Sequence, residues 1–220
     1  MLGNPTEHFW RNERINDEKF WSESIDEIIK SGSTSNSLFG TKLILGSQIF
    51  EQIAFQISLN REAAIANPLQ IIEGKFSEVK YVFLSRRNKI AQAISWSKAL
   101  QTNKWYRTTH ELSASELDQK PIYNFNQIDG LIQNIIFRER IFQTYFDRNE
   151  IEVYSLFYED LNLNPSNQLL NLAQWLGIKL KPHFEQKSMF TVQSDEESLK
   201  WEKMYIEDKY GSAFNHDWLK

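Results

Sequence analysis

Residues 80–105 read KYVFLSRRNKIAQAISWSKALQTNKW, and the fold turns on them. Tyr81-Val82-Phe83-Leu84 is an apolar run of aromatic and β-branched character, which suits a buried strand. It stops at Ser85-Arg86-Arg87-Asn88, and apolar positions then recur at helical spacing through Ile90, Ala93, Ile94, Trp96 and Leu100. A strand, a tight turn and a helix in direct succession make the unit of open α/β sheets. In such sheets ligands sit at the carboxyl ends of strands, and a helix beginning there favours an anion. Arg87 stands at this junction and Ser95 follows two turns into the helix. A guanidinium offers a bidentate fork to a phosphate, and the Ser95 hydroxyl adds one more donor. Successive residues leaving a strand point to opposite sides, so the anion falls to Arg87 and Arg86 is expected to turn away.

The helix has unequal faces. Ile90, Ala93, Ile94, Trp96 and Leu100 form the expected packing side, whereas Ala91, Ser95 and Ala99 make a stripe of small side chains with Gln92, Lys98 and Thr102 alongside. Small residues admit either close packing of a neighbouring element or the approach of a ligand.

Working outward toward the N-terminus, residues 38–45 (LFGTKLIL) form a second expected strand, flanked by helices over 17–30 and 47–60. Ser31-Gly32-Ser33-Thr34 has the composition of a phosphate loop. It follows a helix and precedes a strand, the reverse of the order such a loop needs, so it reads as a connection. Residues 61–79 are mixed, with a short helix at 68–72 before Gly74. Toward the C-terminus, 108–127 is an irregular surface excursion, and the longest helix covers 126–148. A third strand covers 151–157 (IEVYSLF), with Tyr158-Glu159-Asp160-Leu161 at its carboxyl end. A helix over 166–176 stops at Gly177, and an amphipathic tail helix covers 194–210. Three strands separated by helices predict an α/β fold, a parallel β-sheet flanked by helices, in one domain spanning 1–220.

Composition narrows the function. The chain has 220 residues, 41% of them hydrophobic and 14% aromatic, enough for one sizeable core. A net charge of −4 provides no general basic field for nucleic acid, so any anion site is local. The absence of cysteine excludes disulfides, thiolate metal sites and a cysteine nucleophile. His8, His110, His183 and His216 lack metal-ligand spacing, and no metal is expected. No apolar run has transmembrane length and no basic-then-apolar leader is seen, so a soluble cytoplasmic protein is expected. No Gly-Lys-Ser/Thr loop exists to hold a magnesium-bound triphosphate, which argues against a kinase or NTPase.

RRNKIAQAISWSKALQTNKW resembles the strand-turn-helix of the bacterial sulfotransferases of the trehalose-sulfotransferase type, in which an Arg-Asp-Lys turn precedes an A-Q-A-x-S-x-x-x-A-x-Q-T helix. LFGTKLIL resembles the family's Phe-Gly-x-Lys strand, VYSLFYEDLNLNP its Tyr-Glu-Asp-Leu strand end, SDEESLKWEKMY its closing helix, and GNPTEHFW its early Gly-x-Pro-x-Glu-x-Phe segment. The resemblance implies a P-loop-NTPase-like sulfotransferase fold and transfer of a sulfuryl group from 3′-phosphoadenylyl sulfate (PAPS), without a metal, to a hydroxyl of a carbohydrate or glycolipid. It implies further that Arg87 and Ser95 hold the donor's 3′-phosphate, that Tyr158 contacts the nucleotide, and that Glu7 is the general base, with His8 a weaker candidate. It also implies a homodimer. Tyr158 reads equally as a tyrosine packed over the core, and Glu7 alone as an exposed charge. Trp10, Trp105 and Tyr106 either stack on a sugar face or fill the core.

The family opens with a strand and a Pro-Arg-x-Gly-Ser-Thr loop for the donor's phosphosulfate, whereas only Met1 and Leu2 precede Gly3-Asn4-Pro5 here. The first strand and its loop are therefore expected to be missing from this sequence. Either a fragment of a longer product or a natural truncation fits that expectation, and the alternative function is nucleotide binding without turnover.

Overall fold

The computed structural model describes residues 29–30, 33–34, 38–40, 42, 54–55, 57–105, 120–179 and 196–211. The chain divides into two units, Met1–Val79 and Lys80–Lys220.

In the first unit, the described parts of the two expected early helices, Ile29–Lys30, Ala54–Phe55 and Ile57–Ser58, are helical, and Leu59 follows with φ 53°. The loop between them is occupied with its own closure. Ser33 Oγ donates to the Ile29 carbonyl, and the Thr34 N–H donates to Leu38 O at 2.8 Å. Ser33 and Phe39 form one antiparallel bridge. These bonds hold Ser33 and Thr34, whereas Ser31 and Gly32 lie outside the described residues. The strand expected over 38–45 shows only this bridge among its described residues, and the rest of it lies outside them. Phe39 stacks on Phe76, ring centroids 5.9 Å apart. The mixed stretch resolves into two short helices, α1 (Arg61–Ala66) and α2 (Pro68–Glu73). Asn60 caps α1 through its side chain, accepting from Ala63 N–H at 3.0 Å, and Pro68 opens α2 where a missing N–H costs nothing.

In the second unit, β1 (Tyr81–Ser85) pairs in parallel with β2 (Val153–Phe157), Tyr81 opposite Val153 and Ser85 opposite Phe157. Between them run α3 (Lys89–Thr102) and α4 (Phe125–Arg148); after β2 come α5 (Tyr158–Leu163), α6 (Pro165–Trp175) and α7 (Glu196–Tyr210). Alternation along β1 puts Tyr81 and Phe83 against the C-terminal half of α4, where Tyr81 meets Phe146 at 5.2 Å and Phe83 meets Phe142 at 6.2 Å. Tyr154, opposite Val82 and hence on the other face, meets Trp175 of α6 at 5.4 Å. The sheet is thus small, parallel and flanked by helices, consistent with the α/β expectation. Its two strands are the only ones with a ladder among the described residues. No helix there is long and apolar enough to cross a membrane.

The core lies where α3, the N-terminal half of α4 and α7 meet: Ala93, Ile94, Ile128, Ile132, Ile135, Trp201, Tyr205 and Ile206 are buried together. Fully burying one such side chain contributes about 1.5–3 kcal/mol. The packing side of α3 is the expected one at Ile90, Ala93, Ile94 and Trp96 but not at Leu100. Ile90, Ala93, Ile94 and Ser97 keep the i, i+3, i+4, i+7 period, while Leu100 falls outside that stripe and is exposed. Ala99, at the end of the small-residue stripe, is buried, so part of that stripe serves packing.

Candidate active site

Because β1 and β2 end in register, the turn after β1 and the start of α5 after β2 are neighbours, and the carboxylates of α5 address that turn. The Glu159 carboxylate accepts from the backbone N–H of Arg87 (Oε2, 3.0 Å) and of Asn88 (Oε1, 3.2 Å). Partial burial works to raise the Glu159 pKa. The N–H bonds and the nearby Arg86 charge outweigh that and hold it below the usual carboxylate value. An internal anion therefore closes the turn between β1 and α3. Asn88 completes it as N-cap, its Oδ1 accepting from Ala91 N–H at 2.8 Å while its Nδ2 donates to Glu202 of α7 at 2.7 Å.

Arg87 is fixed in plane and direction. Its Nη1 and Nη2 donate to the two oxygens of Asp160 at 2.6 and 2.7 Å, and its Cζ lies 4.1 Å from the Phe157 ring centroid. The fork raises the Arg87 pKa and lowers that of Asp160. Asp160 engages one edge of the guanidinium and Phe157 one face; the remaining N–H groups have no partner among the described residues, and the side chain is 51% exposed. An oxyanion arriving from solvent meets a preoriented donor set there.

Arg86 reaches the same segment as Arg87. Its Cζ lies 4.7 Å over the Tyr158 ring, and its Nε is 3.8 Å from Glu159 Oε1, too far for a hydrogen bond. Lys89 joins three elements. Its Nζ donates to Glu139 of α4 at 2.6 Å and to Ser85 Oγ at 2.9 Å, and Ser85 in turn donates to Glu139. On α7, the tail helix is tied to α3 by Lys98, which donates to Ser198 at 3.0 Å and lies over Trp201 at 5.0 Å.

Of the residues singled out from the sequence, Arg87 and Tyr158 are brought to one junction. Tyr158 is the first residue of α5, half-buried beneath Arg86. Ser95 lies farther along α3, half-buried, its hydroxyl without a partner among the described residues. The Arg87 guanidinium points toward Asp160 in α5. Glu7, His8, Trp10 and Tyr106 lie outside the described residues, and Trp105 is exposed. Among the described residues no group of three or more His, Cys, Asp or Glu side chains is placed to hold a metal.

Sequence reasoning passed over Ser97, Gln101 and Gln127. Ser97 is wholly buried and donates to Gln127 Oε1 at 2.6 Å; Gln101 donates to the same oxygen and receives the Ile122 N–H at 2.7 Å. The available signal was position, since Ser97 stands seven residues after Ile90 on the packing stripe. Glu159 and Asp160 were visible as residues but not as partners, because more than seventy residues separate them from Arg87.

No curated protein matches the chain. A family profile, Stf0 sulphotransferase, matches residues 5–208, a span that takes in the strand-end arginines, the stripe of α3, the Tyr-Glu-Asp start of α5 and most of α7. Since that match covers nearly the whole sequence, the chain belongs to the Stf0 sulphotransferase family.

Proposed function

We propose that the protein transfers a sulfuryl group from PAPS to a hydroxyl of a carbohydrate or glycolipid acceptor. Family membership supports sulfuryl transfer as the reaction class. The observation that carries the choice of donor is Arg87, oriented by Asp160 and Phe157 with the rest of its donors open to an oxyanion. In this reading Arg87 and Ser95 hold the 3′-phosphate, and Tyr158, already stacked with Arg86, lies against the nucleotide. The donor supplies the sulfuryl group together with a phosphate leaving group. Glu7 takes the acceptor proton as the acceptor oxygen bonds to sulfur, the sulfur–oxygen bond to the 5′-phosphate breaks, and the electron pair departs with that phosphate. A carboxylate suits this role because desolvation beside the acceptor raises its pKa toward neutrality. The fold in this reading is the P-loop-NTPase-like sulfotransferase type, acting as a homodimer, with β1 and β2 as two strands of its sheet.

A second reading, nucleotide binding without turnover, draws on the Glu159 carboxylate. The N–H groups of the turn are committed to it, and the contacts left to a ligand are side-chain ones suited to binding. Calorimetry with 3′-phosphoadenosine 5′-phosphate and an assay with sulfur-labelled PAPS over a panel of sugar acceptors separate the two. Binding with transfer of label supports the enzyme. Binding with no transfer supports the second reading, and no binding removes both.

A further inference from the structure

Two side-chain polar atoms among the described residues are buried without a hydrogen-bond partner, and both flank the same turn: Arg86 Nε and Gln92 Oε1. Native proteins satisfy nearly all such atoms, and a buried cationic donor left without an acceptor is costly. The neighbours of Arg86 sharpen the anomaly. Lys89 has Glu139, Arg87 has Asp160, and Asn88 has Glu202. Glu159, the carboxylate beside Arg86, has given one oxygen to each of two backbone N–H groups and stands 3.8 Å away. Arg86 is thus the one charged side chain of the turn that pairs with no hydrogen-bonded counter-charge among the described residues. Its side chain is 23% exposed, so solvent reaches part of it but not Nε. The Tyr158 ring holds the guanidinium from one face.

Gln92 supplies the complementary group. It lies one turn before Ser95 on the small-residue side of α3, away from the stripe that packs on α4 and α7, and its orphan atom is an acceptor. A buried donor of positive charge and a buried neutral acceptor, on adjoining segments, fit a ligand bearing both an oxyanion and an N–H or O–H group.

We propose that Arg86 and Gln92 are ligand-binding residues of this site. Arg86 donates to a phosphate or sulfate oxyanion, and Gln92 accepts from a hydroxyl or amino group of the same ligand. The proposal rests on the nucleotide reading only for the identity of that ligand. It departs from the sequence expectation that Arg86 turns away.

The test uses the full chain with Arg86→Gln, Arg86→Lys and Gln92→Met, titrated with 3′-phosphoadenosine 5′-phosphate and with inorganic pyrophosphate, which has oxyanions but no amine or ribose. Arg86→Gln is expected to weaken both ligands by about 10- to 100-fold, the range for a hydrogen bond to a charged group. Arg86→Lys, which keeps charge but loses Nε–H and the planar fork, recovers part of that loss. Gln92→Met is expected to weaken the nucleotide by about fivefold and leave pyrophosphate unchanged, since a neutral bond is weaker and pyrophosphate has nothing to offer it. Gln92→Met removes an acceptor that has no partner, so its unliganded melting temperature stays at or above that of the parent, whereas Arg86→Gln also gives up the contact with Tyr158 and the attraction to Glu159 and melts only slightly lower. Wild-type binding of pyrophosphate but not nucleotide, lost in Arg86→Gln, would uphold Arg86 and reject the nucleotide reading. Arg86→Gln binding both ligands as the parent does, or melting well below it with binding intact, overturns the role of Arg86. Gln92→Met with parental nucleotide affinity overturns that of Gln92. Failure of the parent to bind either ligand overturns the whole proposal.

Discussion

At its middle, α3 buries Ala93 and Ile94 against isoleucines of α4 and aromatic residues of α7, while at its first turn it is held by charges: Glu159 on two N–H groups, Asn88 on Glu202, and Lys89 on Glu139. The middle depends on area removed from water, a non-directional force that tolerates small shifts. The front depends on directed bonds in partial contact with solvent, each modest in net stability but exacting in geometry. The helix is thus anchored by one region and aimed by the other. A binding site gains from that division, because donors stay oriented while the anchor supplies rigidity from elsewhere.

The strongest way to break this comparison is Ile94→Ala. Ile94 is fully buried, and its truncation is expected to cost about 2–5 kcal/mol in denaturant unfolding. A loss below about 1 kcal/mol would show that the anchor lies elsewhere. Next in size is Glu159→Ala, which strips the acceptor from two N–H groups and is expected to cost about 1–2 kcal/mol, with reduced hydrogen-exchange protection confined to the Arg87–Asn88 turn. Loss spread over all of α3 would contradict the division. Tyr205→Phe removes the O–H that donates to Asp129 at 2.6 Å and is expected to cost about 1 kcal/mol, since Lys209 still satisfies that carboxylate.

Acid should act on the charged contacts before the apolar ones. Glu159 and Asp129 are held below their ordinary values, Asp129 chiefly by the Tyr205 hydroxyl and Lys209. A depressed carboxylate contributes stability that is present above its unfolded value and lost as pH falls through the folded one. Stability should therefore hold down to the ordinary values of 4.5 for glutamate and 3.8 for aspartate and decline below them. In Glu159→Gln the decline is expected to be shallower, as read from unfolding curves between neutral pH and pH 3; an unchanged slope would remove Glu159 from the acid response. The smallest stability effect is expected for Arg87→Ala, whose ion pair is solvent-exposed, so its unfolding midpoint should match the parent.

The apolar middle was the legible part. β1, α3, α4 and α7 all carry strong periodicity, and α4, expected over 126–148, begins one residue earlier at Phe125 with Asn124 as its cap. Where the period is interrupted, legibility fails. α1 is a six-residue helix set by the Asn60 cap and was hidden in a mixed stretch. Tyr158–Leu163, read only as a strand end, forms a helix because Glu159 and Asp160 fall in its favourable first turn. At the site, Arg87 was readable from its place after a strand. The fork on Asp160 and the orphaned Arg86 Nε were not, because both follow from the parallel register of β1 and β2, a pairing between segments some seventy residues apart.

The central claim is that Arg87 at the end of β1 recognises a nucleotide 3′-phosphate. It is tested most directly by comparing, for the parent and Arg87→Ala, the affinities of 3′-phosphoadenosine 5′-phosphate and adenosine 5′-monophosphate, which differ only by that phosphate. The parent is expected to prefer the bisphosphate by about tenfold or more, and Arg87→Ala to bind the two nearly equally. A preference of the same size in both proteins would contradict the account.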